Sequence, residues 1–204
     1  MQDLNAALNE GADAVGFVVG SPSSPRNLTI RKAKRLMNTV RIFSTKVAVT
    51  SSQDPKRVLE ICEELKPDAL QLHHHTSKLI RLLRRKQPAT RLILATPILD
   101  SSSFTEAKEC SHYSDAVLAD SQSPTRMGGT GRTHDWNLTA RIRDAIYPHP
   151  LVLAGGLTSR NVRTAIAVVK PFAVDVSSGV EKSVGIKDHG KIREFILNAK
   201  EKET

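Results

Sequence analysis

The chain has 204 residues, of which 39% are hydrophobic and 25% are charged, and its formal net charge is +9. These proportions exclude a wholly disordered chain and predict one domain over residues 1–204 with a core of its own. We find neither an apolar run of the roughly 18–20 residues that a membrane span needs nor a signal peptide, and two cysteines cannot form a disulfide scaffold, so we expect a cytoplasmic protein with reduced thiols.

Short apolar segments recur along the chain, and a longer segment with helical periodicity follows each of them. The short segments are rich in Val, Leu and Ile and are mostly apolar on both faces, which is typical of buried parallel strands. We predict seven strands, at residues 14–19, 46–50, 69–73, 91–96, 116–120, 151–155 and 173–177.

Eight helices are predicted, one before the first strand and one after each strand. Asp54 is predicted to be an N-cap, with Pro55 as the first helical residue, and Gly11 is predicted to be the C-cap of the first helix. The other boundaries that the pattern indicates are residues 29–37, 159–169 and 188–200. Strand–helix alternation predicts an α/β fold, and the count fits a (β/α)8 TIM barrel that lacks its first strand. An open doubly wound sheet is the alternative.

Functional residues of such folds lie where the parallel strands end. Arg26 lies in the loop after the first predicted strand, where a guanidinium can hold a carboxylate, although a surface arginine fits the pattern equally well. His73, His74 and His75 lie at the end of the third strand. Because neighbouring residues of a strand point to opposite faces, we expect no metal site and only His73 to point into the barrel mouth.

The later strand ends carry an acid and two small-residue loops. Asp120 ends an otherwise apolar strand, and desolvation there raises a carboxyl pKa toward that of a general acid. The glycine-rich segment 121–134 after it is predicted to be a mobile lid. Gly155 and Gly156 lie at the end of the sixth strand, and Ser177 and Ser178 at the end of the seventh, which is typical of phosphate-binding loops.

The positive charge by itself does not identify a partner. Basic clusters at residues 31–35 and 81–86 lie in helical segments, and we interpret them as solvated helix faces. Only 4% of the residues are aromatic, so stacking platforms for nucleic acid are scarce. We expect a small anionic phosphosugar as the partner, with no nucleic acid and no membrane.

Several of these segments occur together in one known family. In order, they are GADAVGFV, SPR at residues 24–26, QLH at 71–73, LAD ending at Asp120, GGTGRTHDW, LAGGL, PFAVDVSSGVE and GIKDH. The ordered set resembles the phosphoribosylanthranilate isomerase family of tryptophan biosynthesis.

The resemblance implies a (β/α)8 barrel that performs an Amadori rearrangement of N-(5-phosphoribosyl)anthranilate without a cofactor. It implies that Asp120 is the general acid and that Arg26 faces the anthranilate carboxylate. It assigns phosphate binding to Gly155, Gly156, Ser177 and Ser178. His73 and Asp175 match positions near the substrate. The oligomeric state, monomer or homodimer, stays open.

One family motif is missing from the sequence. The resemblance places the general base on a cysteine in a K-I-C-G segment of the first strand, about seven residues before Asp3, whereas Cys62 and Cys110 lie in helical segments. We expect a truncated gene model or an internal start, giving an N-terminally incomplete barrel that is inactive as written. A natural seven-stranded protein is the alternative. Two other hypotheses are a different phosphosugar-binding barrel enzyme and a degenerate, non-catalytic barrel.

Overall fold

The structure, a computed structural model, describes residues 1–121 and 134–201. Its main sheet holds seven parallel strands in the order of the chain, β1-β2-β3-β4-β5-β6-β7. In a doubly wound sheet the order of the strands reverses at a switch point, whereas here the strands follow one another in chain order. The barrel prediction is therefore confirmed, and the doubly wound alternative is excluded. The strands are β1 Ala14–Val18, β2 Thr45–Thr50, β3 Ala69–Leu72, β4 Arg91–Pro97, β5 Ala116–Asp120, β6 Leu151–Leu153 and β7 Ala173–Val174.

Eight α-helices accompany these strands within the described residues, as predicted. They are α1 Gln2–Asn9, α2 Ile30–Met37, α3 Pro55–Leu65, α4 Ser77–Lys86, α5 Ser103–Tyr113, α6 Trp136–Ile146, α7 Val162–Val169 and α8 His189–Lys200. The first helix packs on the last, so the helical layer continues past the place where β1 and β7 form the two edges of a half-barrel.

Local signals in the sequence account for most helix ends. Asp54 caps α3 by accepting a hydrogen bond from the Lys56 backbone N–H, and Pro55 follows as its first residue. The prediction that α7 begins at residue 159 is wrong. Asn161 accepts from the Thr158 backbone N–H and donates to the Gly156 carbonyl, which holds a turn until the helix starts at Val162.

The sheet divides two hydrophobic clusters, and this division fixes which way each strand residue points. The larger cluster lies between the sheet and the helices and takes alternate residues such as Leu70, Leu72 and Ala119. The smaller cluster lies on the inner face and consists of Ala95, Leu118 and Ala154, with Ile93 and Val152 packed against it. Because side chains alternate along a strand, the inner face also takes Gln71, His73, Asp120 and Asp175.

Two strands end at least two residues earlier than predicted, at the end of the sheet where the site lies. β6 stops at Leu153, because Gly155 and Gly156 have φ angles of +78° and +66°, in the left-handed region that ends a strand. β7 stops at Val174, although the Asp175 backbone N–H still donates to the Leu153 carbonyl at 2.8 Å. Predicted residues 175–177 are therefore loop rather than strand.

A small antiparallel hairpin after β7 has no counterpart among the predictions. It consists of β8, Glu181–Ser183, and β9, Ile186–Lys187, and a 3-10 turn at Ser178–Val180 precedes it. Its strands are too short and too polar to give a periodic signal. Gly185, with a φ of +78°, allows the tight reversal between them.

Candidate active site

Four polar side chains converge on the inner face at the carboxyl end of the sheet. Gln71 and His73 come from β3 and the residue after it, Asp120 ends β5, and Asp175 follows β7. The Gln71 amide Nε2 lies 3.1 Å from His73 Nε2, which ties the imidazole to its neighbour on the same face. The strand ends thus bring together the acid, the histidine and the aspartate that the sequence singles out.

Asp120 has the properties of a proton donor. Burial raises the pKa of its carboxyl above the ordinary value, and a hydrogen bond from the Ser121 backbone N–H only partly opposes this. Its nearest neighbours along the strand, Leu118 and Ala119, are buried and apolar. The environment therefore favours the protonated acid more than water does.

Asp175 lies where several titratable groups meet. Asp175 keeps part of its surface exposed to solvent, but the protein around its carboxyl group replaces enough water to desolvate that group. Desolvation and the charge of Asp120 raise its pKa, while His73 and Lys187 lower it less strongly. Burial in turn lowers the pKa of His73, so the imidazole tends to be neutral. A neutral histidine and two carboxyls of raised pKa are groups of the kind that exchange protons with a bound ligand.

The two glycine- and serine-containing loops pack against each other. A Cβ at Gly155 would overlap the backbone nitrogen of Ser121, and a Cβ at Gly179 would overlap the carbonyl oxygen of Leu157. The loop after β6 therefore touches both the end of β5 and the loop after β7. This contact places the loop with Gly155 and Gly156 next to the loop with Ser177 and Ser178, the two predicted phosphate loops.

Arg26 forms the best-defined charged contact near this end. Its Nε and Nη2 atoms donate to the two carboxylate oxygens of Glu181, both at 2.7 Å. Lys187 Nζ donates to Glu181 Oε1 at 3.1 Å and to the Ser177 carbonyl at 2.7 Å. Burial alone would raise the pKa of Glu181, but the hydrogen bonds from Arg26 and Lys187 outweigh it and hold that pKa below the ordinary value.

Glu181 and Lys187 belong to the unpredicted hairpin, so sequence reasoning misses them. The one signal available is that Glu181 closes the segment PFAVDVSSGVE and is an acidic residue next to the phosphate-loop pattern. Its partner Arg26 lies 155 positions earlier in the chain. Local sequence patterns cannot predict a contact between residues so far apart in the chain.

Both cysteines lie on the outer, helical side of the sheet. Cys62 is buried in α3, and burial raises the pKa of its thiol to about 11. Cys110 in α5 accepts a hydrogen bond from the Thr96 hydroxyl, and its sulfur lies 3.7 Å from His75 Nε2 beside an outer cavity of about 210 Å³. Neither thiol reaches the inner face where Asp120 and Asp175 lie.

Two further findings concern only the described part of the chain. Within residues 1–121 and 134–201, no three His, Cys, Asp or Glu side chains are grouped so that they could hold a metal ion. No helix there has both the length and the apolar character to cross a membrane. The predicted lid, with Gly128, Gly129 and Gly131, falls outside the described residues except for its two ends.

The raised pKa of Asp120 gives a stability test. Above the ordinary pKa of an aspartate, about 4, Asp120 loses its proton in the unfolded chain but keeps it in the folded protein. The free energy of unfolding therefore falls as the pH rises from the unfolded-state pKa to the folded-state pKa, and it stays lower above that range. We therefore expect Asp120→Asn to raise the free energy of unfolding at pH 7.5, with the gain shrinking toward pH 4. Urea denaturation at a series of pH values measures this gain.

The matched control is Asp144→Asn, which removes an exposed carboxylate on α6 that pairs with Arg143. It should give no stability gain at pH 7.5. An Asp120→Asn protein that is less stable than the wild type at pH 7.5 would show that the native site favours the carboxylate.

The fold and the grouping of acid, histidine and small-residue loops at one end of the sheet define a barrel enzyme of the (β/α)8 type. The family model of N-(5'-phosphoribosyl)anthranilate (PRA) isomerase matches residues 1–198. The chain therefore belongs to the N-(5'-phosphoribosyl)anthranilate isomerase family.

Individual relatives agree with this assignment. The chain is 44% identical over 195 residues to the N-(5'-phosphoribosyl)anthranilate isomerase of Methanothrix thermoacetophila, covering 95% of this chain and 90% of that one. It superposes on the crystal structure of the Thermotoga maritima phosphoribosyl anthranilate isomerase with a TM-score of 0.85 at 38% identity, covering 98% and 93%. A second solved phosphoribosyl anthranilate isomerase, in complex with reduced 1-(o-carboxyphenylamino)-1-deoxyribulose 5-phosphate, matches with a TM-score of 0.81 at 36% identity and the same coverage.

Proposed function

We propose that this protein isomerises N-(5'-phosphoribosyl)anthranilate to 1-(2-carboxyphenylamino)-1-deoxyribulose 5-phosphate, with Asp120 as the general acid. The observation that carries this proposal is the position of Asp120, a carboxyl of raised pKa on the inner face between His73 and the loops after β6 and β7. An acid in such a place can deliver a proton to a bound sugar while the loops hold its phosphate.

Three groups of residues bind the substrate in this proposal. Backbone N–H groups of Gly155 and Gly156 and the hydroxyls of Ser177 and Ser178 bind the phosphate, because glycine lets the chain approach an anion closely. Arg26 binds the anthranilate carboxylate. His73 and Asp175 contact the ribose between these two ends, where their neighbours are Gln71 and Lys187.

The first chemical step needs only the acid. Asp120 protonates the ribose ring oxygen as the C1–O bond breaks, the nitrogen lone pair forms a C1=N bond, and the open-chain protonated Schiff base results. The Asp120 carboxylate that remains, next to Asp175, can then accept a proton in a later step. The raised pKa of Asp120 keeps the acid populated closer to neutral pH than an exposed aspartate.

The second step removes the C2 proton, which moves the double bond to C1–C2, and the resulting enolamine tautomerises to the ketone. The substrate and product are isomers, so no cofactor enters. We assign this base to neither cysteine of the sequence, because Cys62 and Cys110 lie outside the sheet, on the helical side. The family resemblance places the base in a K-I-C-G segment, which the printed residues do not contain.

The assay for this proposal is the conversion of N-(5'-phosphoribosyl)anthranilate by the protein expressed from its native gene, with the product identified by chromatography and mass spectrometry. We expect the deoxyribulose phosphate product. The rival phosphosugar enzyme would instead convert an aldose phosphate that lacks the carboxylate, and activity on such a compound alone would overturn the proposal. The group formed by Arg26, Glu181 and Lys187 has a net positive charge, which favours the anthranilate substrate because that substrate carries a carboxylate.

The positions of the cysteines give a second, sharper expectation. Cys62→Ala and Cys110→Ala, each made in the native-gene protein, should leave kcat within about twofold, because a general base must lie within hydrogen-bond reach of the proton it takes. Steady-state kinetics at a temperature where both variants are folded checks this. A hundredfold loss in Cys110→Ala would place the chemistry at the outer cavity near His75 instead.

The remaining parts of the proposal concern the setting of the enzyme. We place it in the cytoplasm, where its two buried thiols stay reduced. Its anionic substrate gives the positive charge a use. The basic faces of α2 and α4 expose most of their Lys and Arg side chains, although Arg84 is half-buried and pairs with Asp115. The same helices bury Ala33, Met37 and Leu83. Monomer and homodimer both fit this setting.

A further inference from the structure

The ion pair between Arg26 and Glu181 is nearly buried and engages one defined edge of the guanidinium. The side chain of Arg26 is 16% exposed and that of Glu181 is 6% exposed. Glu181 takes the edge formed by Nε and Nη2. Because a guanidinium has five N–H donors in a fixed plane, the second edge, formed by Nη1 and the other hydrogen of Nη2, still has three donors. Within residues 1–121 and 134–201, the hydrogen bonds from the Arg26 guanidinium are those from Nε and Nη2, and none comes from Nη1.

The charge balance of the cluster leaves room for one anion. Lys187 contacts the same carboxylate at 3.1 Å, so two positive groups share one negative group. A lone Arg26–Glu181 pair would repel a second carboxylate as much as it attracts it, whereas the trio of Arg26, Glu181 and Lys187 retains a net positive charge.

Residues on several elements hold Glu181 in place. Lys191 Nζ on α8 donates to the Glu181 backbone carbonyl at 2.8 Å, and Lys187 ties the carboxylate to the Ser177 carbonyl in the phosphate-loop segment. Arg26 itself comes from a loop in which the Ser21 backbone N–H donates to the Asn27 side chain. The long Arg26 side chain is therefore held by a fixed carboxylate, and its orientation does not depend on its own flexible stem.

We propose that Glu181 is a positioning residue for carboxylate recognition: it holds the side edge of the Arg26 guanidinium so that the Nη1/Nη2 edge is presented to the substrate carboxylate. This inference rests on the proposed function, in which Arg26 binds that carboxylate. Lys187 supplies the charge that keeps the cluster attractive to a second anion, and through Ser177 it links the carboxylate end of the site to the phosphate end.

Glu181→Gln tests the assignment, because glutamine keeps the shape but offers only one acceptor to the guanidinium edge. Calorimetric titration compares two ligands, reduced 1-(o-carboxyphenylamino)-1-deoxyribulose 5-phosphate and its phenylamino counterpart without the carboxyl. The wild type should prefer the first. In Glu181→Gln this preference should fall by about tenfold, while affinity for the carboxyl-free ligand stays unchanged.

A second background shows whether Glu181 acts through Arg26. Arg26→Met should itself remove the preference, and adding Glu181→Gln to it should cause no further change. Glu64→Gln, which removes the exposed pair with Lys34 on the outer helices, is the matched control and should keep the wild-type preference. Circular dichroism checks that each variant is folded. If Glu181→Gln does not fold, Glu181→Asp keeps the charge at a shorter reach and should give an intermediate preference.

The outcomes separate the two proposals. A wild type that binds both ligands equally overturns the carboxylate role of Arg26 and this inference with it. A wild type that discriminates, alongside a folded Glu181 variant that discriminates equally well, overturns the positioning role and leaves the proposed function standing. Tighter binding of the carboxyl-bearing ligand by Glu181→Gln would show that Glu181 competes with the substrate for Arg26, which also overturns it.

Discussion

Asp120→Asn is expected to lower kcat for the isomerisation by ~10²–10⁴-fold, the usual loss when a general acid is removed. Asparagine keeps the shape of the side chain and the contact with the Ser121 backbone but has no proton to deliver to the ribose ring oxygen. Substrate affinity should change little, because Arg26 and the phosphate loops supply the binding. Steady-state kinetics of the protein expressed from its native gene measures kcat, and KM serves as the measure of substrate affinity.

The stability of the same variant makes the result easy to interpret. Since Asp120→Asn should be more stable than the wild type at pH 7.5, a loss of turnover cannot come from unfolding. Asp144→Asn on α6 serves as the control and should keep full activity. Turnover by Asp120→Asn within tenfold of the wild type would remove Asp120 from the role of general acid.

Gly179→Ala is expected to weaken binding of the reduced product analogue by roughly 10–100-fold, the loss that follows when charged hydrogen bonds to the phosphate are misplaced. A methyl group at Gly179 would overlap the Leu157 carbonyl, so the loops after β6 and β7 must separate. The same overlap should lower the free energy of unfolding by about 1–3 kcal/mol. Titration calorimetry and urea denaturation measure these effects.

Gly16→Ala is the matched control for this substitution. A Cβ at Gly16 would lie 3.4 Å from the Val49 side chain, an ordinary contact on the inner face of β1 and β2. It should therefore leave the affinity for the analogue near the wild-type value. If Gly179→Ala binds the analogue as tightly as Gly16→Ala does, the packing of the two loops does not set the phosphate site.

Alternation and strand position predict most of the layout. Seven apolar segments, each followed by an amphipathic one, give the strand count and the parallel sheet. The period-two pattern also places Asp120 on the inner face, since Val117 and Ala119 pack outward against the helices. A local cap such as Asp54 is visible in the sequence because its hydrogen bond closes within two residues.

The parts that sequence reasoning misses depend on contacts between distant segments. The hairpin at Glu181–Lys187 has strands of three and two residues, too short for a periodic signal, and Asp3, from the other end of the chain, accepts a hydrogen bond from the Lys187 backbone N–H. The ion pair of Arg26 with Glu181 exists only once that hairpin has formed. The early end of β6 follows from the left-handed angles of Gly155 and Gly156, which glycine permits but does not dictate.

In the proposed function, Arg26, Asp120 and the two glycine–serine loops form one site for an anionic anthranilate phosphosugar. Calorimetric titration of the protein with reduced 1-(o-carboxyphenylamino)-1-deoxyribulose 5-phosphate tests this most directly. One-to-one binding is expected, weakened both by Arg26→Met and by competing inorganic phosphate, and retained by Asp120→Asn. The absence of saturable binding, or binding that neither Arg26→Met nor phosphate affects, would show that these residues do not form a site for this ligand.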